Sequence, residues 1–335
     1  MLVGPNGAGK TSLLEAIYFL ATTRSFRTSA LADCRRHGEV AFSVAGRVER
    51  EGRFDLVAGL NERGVHRELN GKESRLANYL AALPVVSWSA ADSRLIDGSP
   101  AERRRFLDQG VVGTRPSALS ILARYRRALD QKRELLRRGH SGLAPWNTVL
   151  AEAGSELMKC RRRYVAELRD EMNGLVGTGG LETPEISLKY RSSPEIETHS
   201  AANLAQAFER KRGDERQAGR PLIGPHRDEL VLNWGEHEAR RVGSAGEKKL
   251  FGLVLTAARG RVLSRYGRDP VYLMDDIDSE LDPDRLAAGF SLFSGNQEVF
   301  VTSSNPEVSE VLGGLWKWSL SGGRISPMRD SKKTL

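Results

Sequence analysis

The stretch Gly4-Pro5-Asn6-Gly7-Ala8-Gly9-Lys10-Thr11 limits what this chain can fold into more than any other, because it spells G-x-x-x-x-G-K-[ST] without a mismatch. Glycines at these spacings let backbone N–H groups turn inward on a polyphosphate. Lys10 can then reach the terminal phosphates, and the Thr11 hydroxyl can ligate Mg²⁺. Leu13, Leu14, Ile17 and Leu20 follow at helical spacing, so a helix is expected to start at the loop and point its positive N-terminus at the anion. A plain glycine turn is the alternative, and the full motif with a helix behind it weighs against that. Only Met1-Leu2-Val3 precede the loop, whereas a buried parallel strand usually runs about 5–6 residues, so an in-frame upstream extension is expected.

A second half-site lies near the other end. Val271-Tyr272-Leu273-Met274 is an apolar strand that ends in Asp275-Asp276, the form of a Walker B segment. A hard cation bound to phosphates needs an oxygen donor there, which suits Asp275. Asp276, one residue on, is placed to accept a proton from the attacking water, unless the two acids merely end a strand. Upstream, Ser244-Ala245-Gly246 opens an apolar helix through Leu250, Leu253, Val254, Ala257 and Ala258, a second anion site by the same N-terminal logic. One γ-phosphate does not need two helix N-termini from one subunit. This turn is therefore expected to reach the nucleotide of a second copy, with ATP joining a homodimer. Glu298 to Ser303 reads as a strand ending in hydroxyls, and Thr302 to Asn305 are candidate switch residues or simple strand termination.

Between these halves the chain changes character. The 335 residues carry a formal net charge of +8, and Ala101 to Asp170 alone holds 16 Lys and Arg against 8 Asp and Glu. An acidic partner is expected, nucleic acid before an anionic membrane surface. Two helical patterns, Ser117–Arg138 and Leu150–Met172, are separated by a turn from Gly139 to Pro145 and read as an αα-hairpin. Arg126, Arg127, Arg133, Arg137, Arg138, Arg161, Arg162 and Arg163 fall mostly off its apolar stripe, as a DNA-facing surface or an ordinary solvated one. Alternation from Val40 to Leu69, with turns at Gly52, Gly64 and Asn70-Gly71, predicts an antiparallel side sheet. Shorter strands are expected over Leu83–Trp88, Ile186–Tyr190 and Leu230–Trp234, with a helix over Ala201–Arg212 and a turn at Asp97–Pro100 leading into a basic run. The length suggests about two domains: a nucleotide domain from residues 1–83 and 224–335, and a basic, mainly helical insertion over 84–223. Cys34 and Cys160 are too few for a disulfide framework, and no apolar run approaches about 18 residues, so a cytoplasmic protein without a membrane partner is expected.

The segments GPNGAGKTSLLEAIY (Gly4 to Tyr18), GSPAERRRFLD (Gly98 to Asp108), YRRALDQKRELL (Tyr125 to Leu136), GPHRDEL (Gly224 to Leu230), SAGEKK (Ser244 to Lys249) and MDDIDSELD (Met274 to Asp282) together carry a resemblance over nearly the whole chain. It resembles the ABC-type ATPase heads of the SMC and Rad-fifty group and, within that group, the bacterial RecF family. The resemblance implies an α/β, ABC-type P-loop ATPase head with an inserted helical domain, using ATP and Mg²⁺. It implies slow, DNA-stimulated hydrolysis as a conformational switch and an ATP-dependent homodimer on single-stranded and gapped or junction duplex DNA. It further implies work with RecO and RecR to load RecA during repair, replication and the SOS response.

By the same resemblance Asn6, Gly9, Lys10 and Thr11, then Ser244, Gly246 and Glu247, then Asp275, Asp276 and Asp282 take the family's nucleotide roles. Glu247 stands where Gln is more usual, and Thr302 to Asn305 holds no switch histidine. The hairpin replaces the hundreds of coiled-coil residues of SMC proteins. Two rivals share the nucleotide motifs. The ATPase subunit of a membrane transporter should lack the basic insertion, and a scaffold that keeps ATP as a structural ligand should show no turnover.

Overall fold

A computed structural model describes residues 1–50, 52–89, 92, 94–178, 185–195, 199–278, 281–293 and 298–328. β1 (Leu2–Val3) runs into the phosphate loop and α1 (Lys10–Thr22). A meander follows, β2 (Phe42–Glu49), β3 (Arg53–Asn61), β4 (Gly64–Leu69) and β5 (Lys72–Glu73), then α2 (Leu76–Ala82), β6 (Val85–Trp88) and α3 (Arg94–Asp97). α4 (Pro100–Thr114), α5 (Ala118–Arg137) and α6 (Ala144–Thr178) lead to β7 (Ile186–Arg191), α7 (Ala201–Ala218), β8 (Glu229–Trp234), β9 (His237–Glu238) and α8 (Ala239–Val242). The chain continues through α9 (Ala245–Arg265), β10 (Val271–Met274), α10 (Pro283–Ser291), β11 (Val299–Ser303), α11 (Val308–Leu312) and the hairpin of β12 (Trp318–Ser321) and β13 (Arg324–Pro327).

Two compact units result, one from Met1–Ser93, Glu171–Thr183 and Gly243–Leu335, the other from Arg94–Asp170 and Pro184–Val242. These divisions fall later than the expected ones at 83/84 and 223/224. Strand pairing accounts for the difference: β6 pairs with β10 in the first unit, and β8 pairs with β7 in the second.

The first unit is built on a six-stranded sheet of order β13-β12-β1-β11-β10-β6, parallel except for the terminal β12–β13 pair. All of β10 is buried, as expected for a continuous apolar strand with parallel neighbours on both sides. Short as it is, β1 is held from both sides by β11 and β12. α1 uses opposite faces: Leu14, Tyr18 and Ala21 pack with Leu83, Val271 and Leu273, while Phe19 and Leu20 pack with Leu56, Ala58 and Tyr79 beneath the meander. Asn70 and Gly71 both take positive φ (54° and 73°), which closes β4 onto β5 with the predicted two-residue turn.

The second unit gathers its core where α5, α6 and α7 meet, around Leu122, Tyr125, Leu129, Leu150, Leu157 and Phe208. Each fully buried leucine there contributes roughly 1.5–3 kcal/mol relative to exposure. α6 starts before the predicted Leu150 because Pro145 is tolerated in a first turn, and it outlasts Met172 because Leu175 continues the buried stripe. α7 likewise runs past Arg212 to a left-handed Gly219 cap. Its late residue Glu215 pairs with Lys132 at 2.7 Å, both fully buried. The basic run after the turn at Asp97–Pro100 is helical: α4 starts at Pro100, with Ser99 and Glu102 in a reciprocal capping box.

The arginine surface predicted on the hairpin needs one correction. Arg161 is only 2% exposed, and its guanidinium binds Asp108 at 2.7 Å, Asp228 at 2.9 Å and the Pro225 carbonyl at 2.7 Å. Spacing alone placed it outward, but two acids from distant segments draw it into the core. Arg126 also reaches Asp108, at 3.6 Å, while Arg133 pairs with Asp130, Arg137 and Arg138 with Glu134, and Arg163 with Glu167. No described helix is long and apolar enough to cross a membrane.

Candidate nucleotide site

β1 delivers the phosphate loop to the end of the sheet where β11 and β10 also finish, so three parallel strands present their C-terminal ends together. Ligands of open parallel sheets bind at that end. Gly7 and Gly9 take φ of 81° and 102°, a backbone that side-chain-bearing residues rarely adopt, and a side chain at Gly4 would run into the Leu320 carbonyl. α1 begins at Lys10, directly behind Gly9. Lys10 is 6% exposed, and its ammonium donates to the Gly4 and Pro5 carbonyls at 2.7 and 3.2 Å. Two of its three protons are thus used within the loop, which leaves one for a phosphate oxygen.

Thr11 Oγ1 donates to Asp275 Oδ1 at 3.0 Å across 264 residues of sequence. A hydroxyl and a carboxylate oxygen in contact at the mouth of a phosphate loop are hard-oxygen donors of the kind that could hold Mg²⁺. The same Asp275 oxygen accepts from Thr302 Oγ1 at 2.7 Å, and Thr302 Oγ1 accepts from the Asp276 N–H at 3.0 Å. Thr302 is therefore the member of the candidate switch stretch that contacts Asp275 and Asp276, while Ser303 Oγ donates to the Asn305 carbonyl. Asp276 has φ of 48°, left-handed for a residue other than glycine, a conformation that clusters at functional sites. Burial first, and the neighbouring Asp275 second, push the Asp276 carboxyl above the ordinary carboxylate value, with Lys10 opposing. A carboxylate so shifted is a stronger proton acceptor.

The remaining predicted residues sit elsewhere in the first unit. Ser244 caps α9, and its N–H and hydroxyl both donate to Glu247 Oε2, at 2.8 and 2.7 Å. Those bonds hold the Glu247 carboxyl below its ordinary value. Gly246 lies in the first turn of α9, whereas Lys249 turns inward over the Trp88 ring at 4.8 Å. Asp282 caps α10 by accepting from the Arg285 N–H at 2.9 Å.

Thr302→Val tests the strand-end arrangement. The shape is kept, but the Asp276 N–H and one side of Asp275 lose their partner. We expect a loss of about 1–3 kcal/mol in thermal or denaturant unfolding, together with weaker Mg²⁺-dependent nucleotide binding. Unchanged binding would remove Thr302 from the site.

A phosphate loop, a helix behind it and a threonine–aspartate pair at the ends of a parallel sheet define an ABC-type P-loop ATPase head. The chain belongs to the RecF/RecN/SMC N terminal domain family, whose profile matches residues 1–317. It is 35% identical to the DNA replication and repair protein RecF of Anaeromyxobacter sp. (strain K), over 98% of this chain and 92% of that one. The RecF of Geobacter sulfurreducens is 34% identical over 91% and 86% of the two chains. Among solved structures, the recombination mediator protein RecF-ATP in the RecFOR pathway superposes with a TM-score of 0.86 at 24% identity, covering 98% of this chain and 91% of that one. An SMC head bound to the C-terminal winged-helix domain of ScpA gives 0.51 at 17% identity, over 98% and 88%. The match to RecF proteins over nearly the full length does not favour the transporter alternative.

Proposed function

We propose that this chain is an ATP-gated DNA clamp of recombinational repair and replication-fork maintenance. It acts in the cytoplasm with RecO and RecR to load RecA at single-stranded gaps. The observation that carries the nucleotide half is the 3.0 Å contact of Thr11 with Asp275 beside the phosphate loop. The family membership carries the DNA half. The backbone of Gly4 to Gly9, with Pro5, Asn6, Gly7 and Ala8 between, wraps the phosphates, and Lys10 binds the terminal ones. Thr11 and Asp275 hold Mg²⁺, which supplies charge neutralisation on the phosphates. Asp276 takes the proton of the attacking water, and turnover is slow and stimulated by DNA.

In this reading Ser244, Gly246 and Glu247 serve the nucleotide of a second copy, with Asp282 beside them. The Ser244 hydroxyl then exchanges Glu247 for a γ-phosphate oxygen. The test uses two inactive parents. Lys10→Ala lacks a phosphate contact, and Ser244→Arg puts bulk where the partner's phosphate must approach. Neither should sediment as a dimer with ATP, whereas their mixture should recover part of the dimer, since one composite site keeps an intact face from each. If Ser244→Arg alone dimerises normally, the shared-site reading is wrong.

A further inference from the structure

Away from the nucleotide site, the second unit carries an open cleft of about 530 Å³ between the first turn of α4, the end of β7 and the turn before β8. Three arginines line it: Arg104 of α4, Arg191 at the last position of β7 and Arg227 in the turn. Among the described residues none of the three has a carboxylate within ion-pair distance, in contrast to the paired arginines of the hairpin. The acids nearby do not cancel them. Glu229 has both oxygens engaged by Arg103, at 2.7 and 3.1 Å, which leaves Glu195 as the other carboxylate among the described residues of the lining.

The walls are fixed in advance. Arg104 Nη1 donates to the Asp228 carbonyl at 2.9 Å, which anchors its fork while other N–H groups remain available. The buried Asp228 carboxylate in turn accepts from the Ser193 N–H at 2.9 Å and holds the corner where β7 leaves the sheet. Burial, and after it the charges of Arg161 and Arg227, lower the Arg104 pKa against the opposing pull of Glu229 and Asp228. A half-buried guanidinium in such surroundings gains from an anion. Several guanidinium forks around one cleft match the oxygens of a phosphate better than a lone carboxylate.

We propose that this cleft binds a phosphodiester group of a DNA strand, with Arg104, Arg191 and Arg227 as its donors. The inference rests on the DNA-binding reading above and gives it a location on the chain.

Arg191 and Arg227 are exposed, so Arg191→Gln/Arg227→Gln should fold as the wild type does, with an equal melting temperature as the check. Fluorescence anisotropy of a labelled gapped duplex, taken across a salt series, is then compared with wild type. Affinity should fall roughly ten- to a hundredfold near 0.1 M salt, and the log–log salt slope should flatten by up to about 1.8, at about 0.9 per lost contact. ATP binding should not change. Arg104→Lys keeps the charge but loses the fork, so it should weaken binding with the slope preserved. Arg137→Gln/Arg138→Gln removes as much charge from arginines already paired with Glu134 and should do little. Equal losses in that control, or wild-type affinity and slope in the cleft variant, overturn the site while the DNA reading stands. A wild-type protein that does not bind the gapped duplex overturns both.

Discussion

Asp276→Asn is expected to leave ATP and Mg²⁺ binding intact while hydrolysis falls by about 10²–10⁴, the usual contribution of a positioned general base. The amide keeps the shape of the carboxylate and the left-handed backbone that asparagine tolerates as well as aspartate. What disappears is the proton acceptor. Phosphate release measures the rate, and a fluorescent ATP analogue measures binding. With hydrolysis blocked, the ATP-joined dimer should persist on DNA. A rate within a few-fold of wild type would transfer the role to another group.

The same substitution has a second signature in stability. Burial and Asp275 raise the Asp276 carboxyl above its ordinary value, so the folded state holds this proton more tightly than the unfolded chain does. Ionisation of Asp276 therefore opposes folding. The penalty is absent below the ordinary carboxylate pKa, grows as pH rises and is complete above the folded value. The Asp276→Asn protein should accordingly melt higher than wild type near neutral pH, with the difference closing in acid.

The parts of this molecule that could be read from its sequence are those whose physics is local. The phosphate loop and α1 are contiguous, β10 is an unbroken apolar run, and Asn70-Gly71 announces its own turn. α4 carries a local signal too, since Ser99-Pro100 followed by Glu102 is a capping pattern, although the turn at Asp97–Pro100 and the basic run behind it do not by themselves name a helix. Thr302 is different. Its contact with Asp275 exists because β11 lies between β1 and β10, an order of strands that no residue pattern encodes. Arg161 was lost for the same reason, as its partners lie 53 and 67 residues away along the chain. Periodicity tells which face of a helix a residue occupies. It does not tell which acids other segments will bring to that face.

That buried arginine supplies the second large effect. Arg161→Met fills similar space but withdraws the cation from Asp108 and from Asp228, a residue with 0% exposure. Asp228 would keep the Tyr190 hydroxyl and the Ser193 N–H as donors, without a compensating charge. Breaking a buried pair by removing one partner typically costs about 3–5 kcal/mol, so unfolding of the second unit should move to markedly lower denaturant. The cost should depend on pH. Burial already raises the Asp228 carboxyl against the opposing charge of Arg161, and without Arg161 it rises further, so the loss is small in acid, where the group stays protonated, and grows as pH rises through the carboxylate range. Adding Asp228→Asn to Arg161→Met should recover part of the stability at neutral pH and flatten that dependence. A surface arginine would behave otherwise: Arg161→Met would then leave unfolding unchanged at every pH and act on DNA affinity alone. That pattern would restore Arg161 to the solvent-facing side of the hairpin.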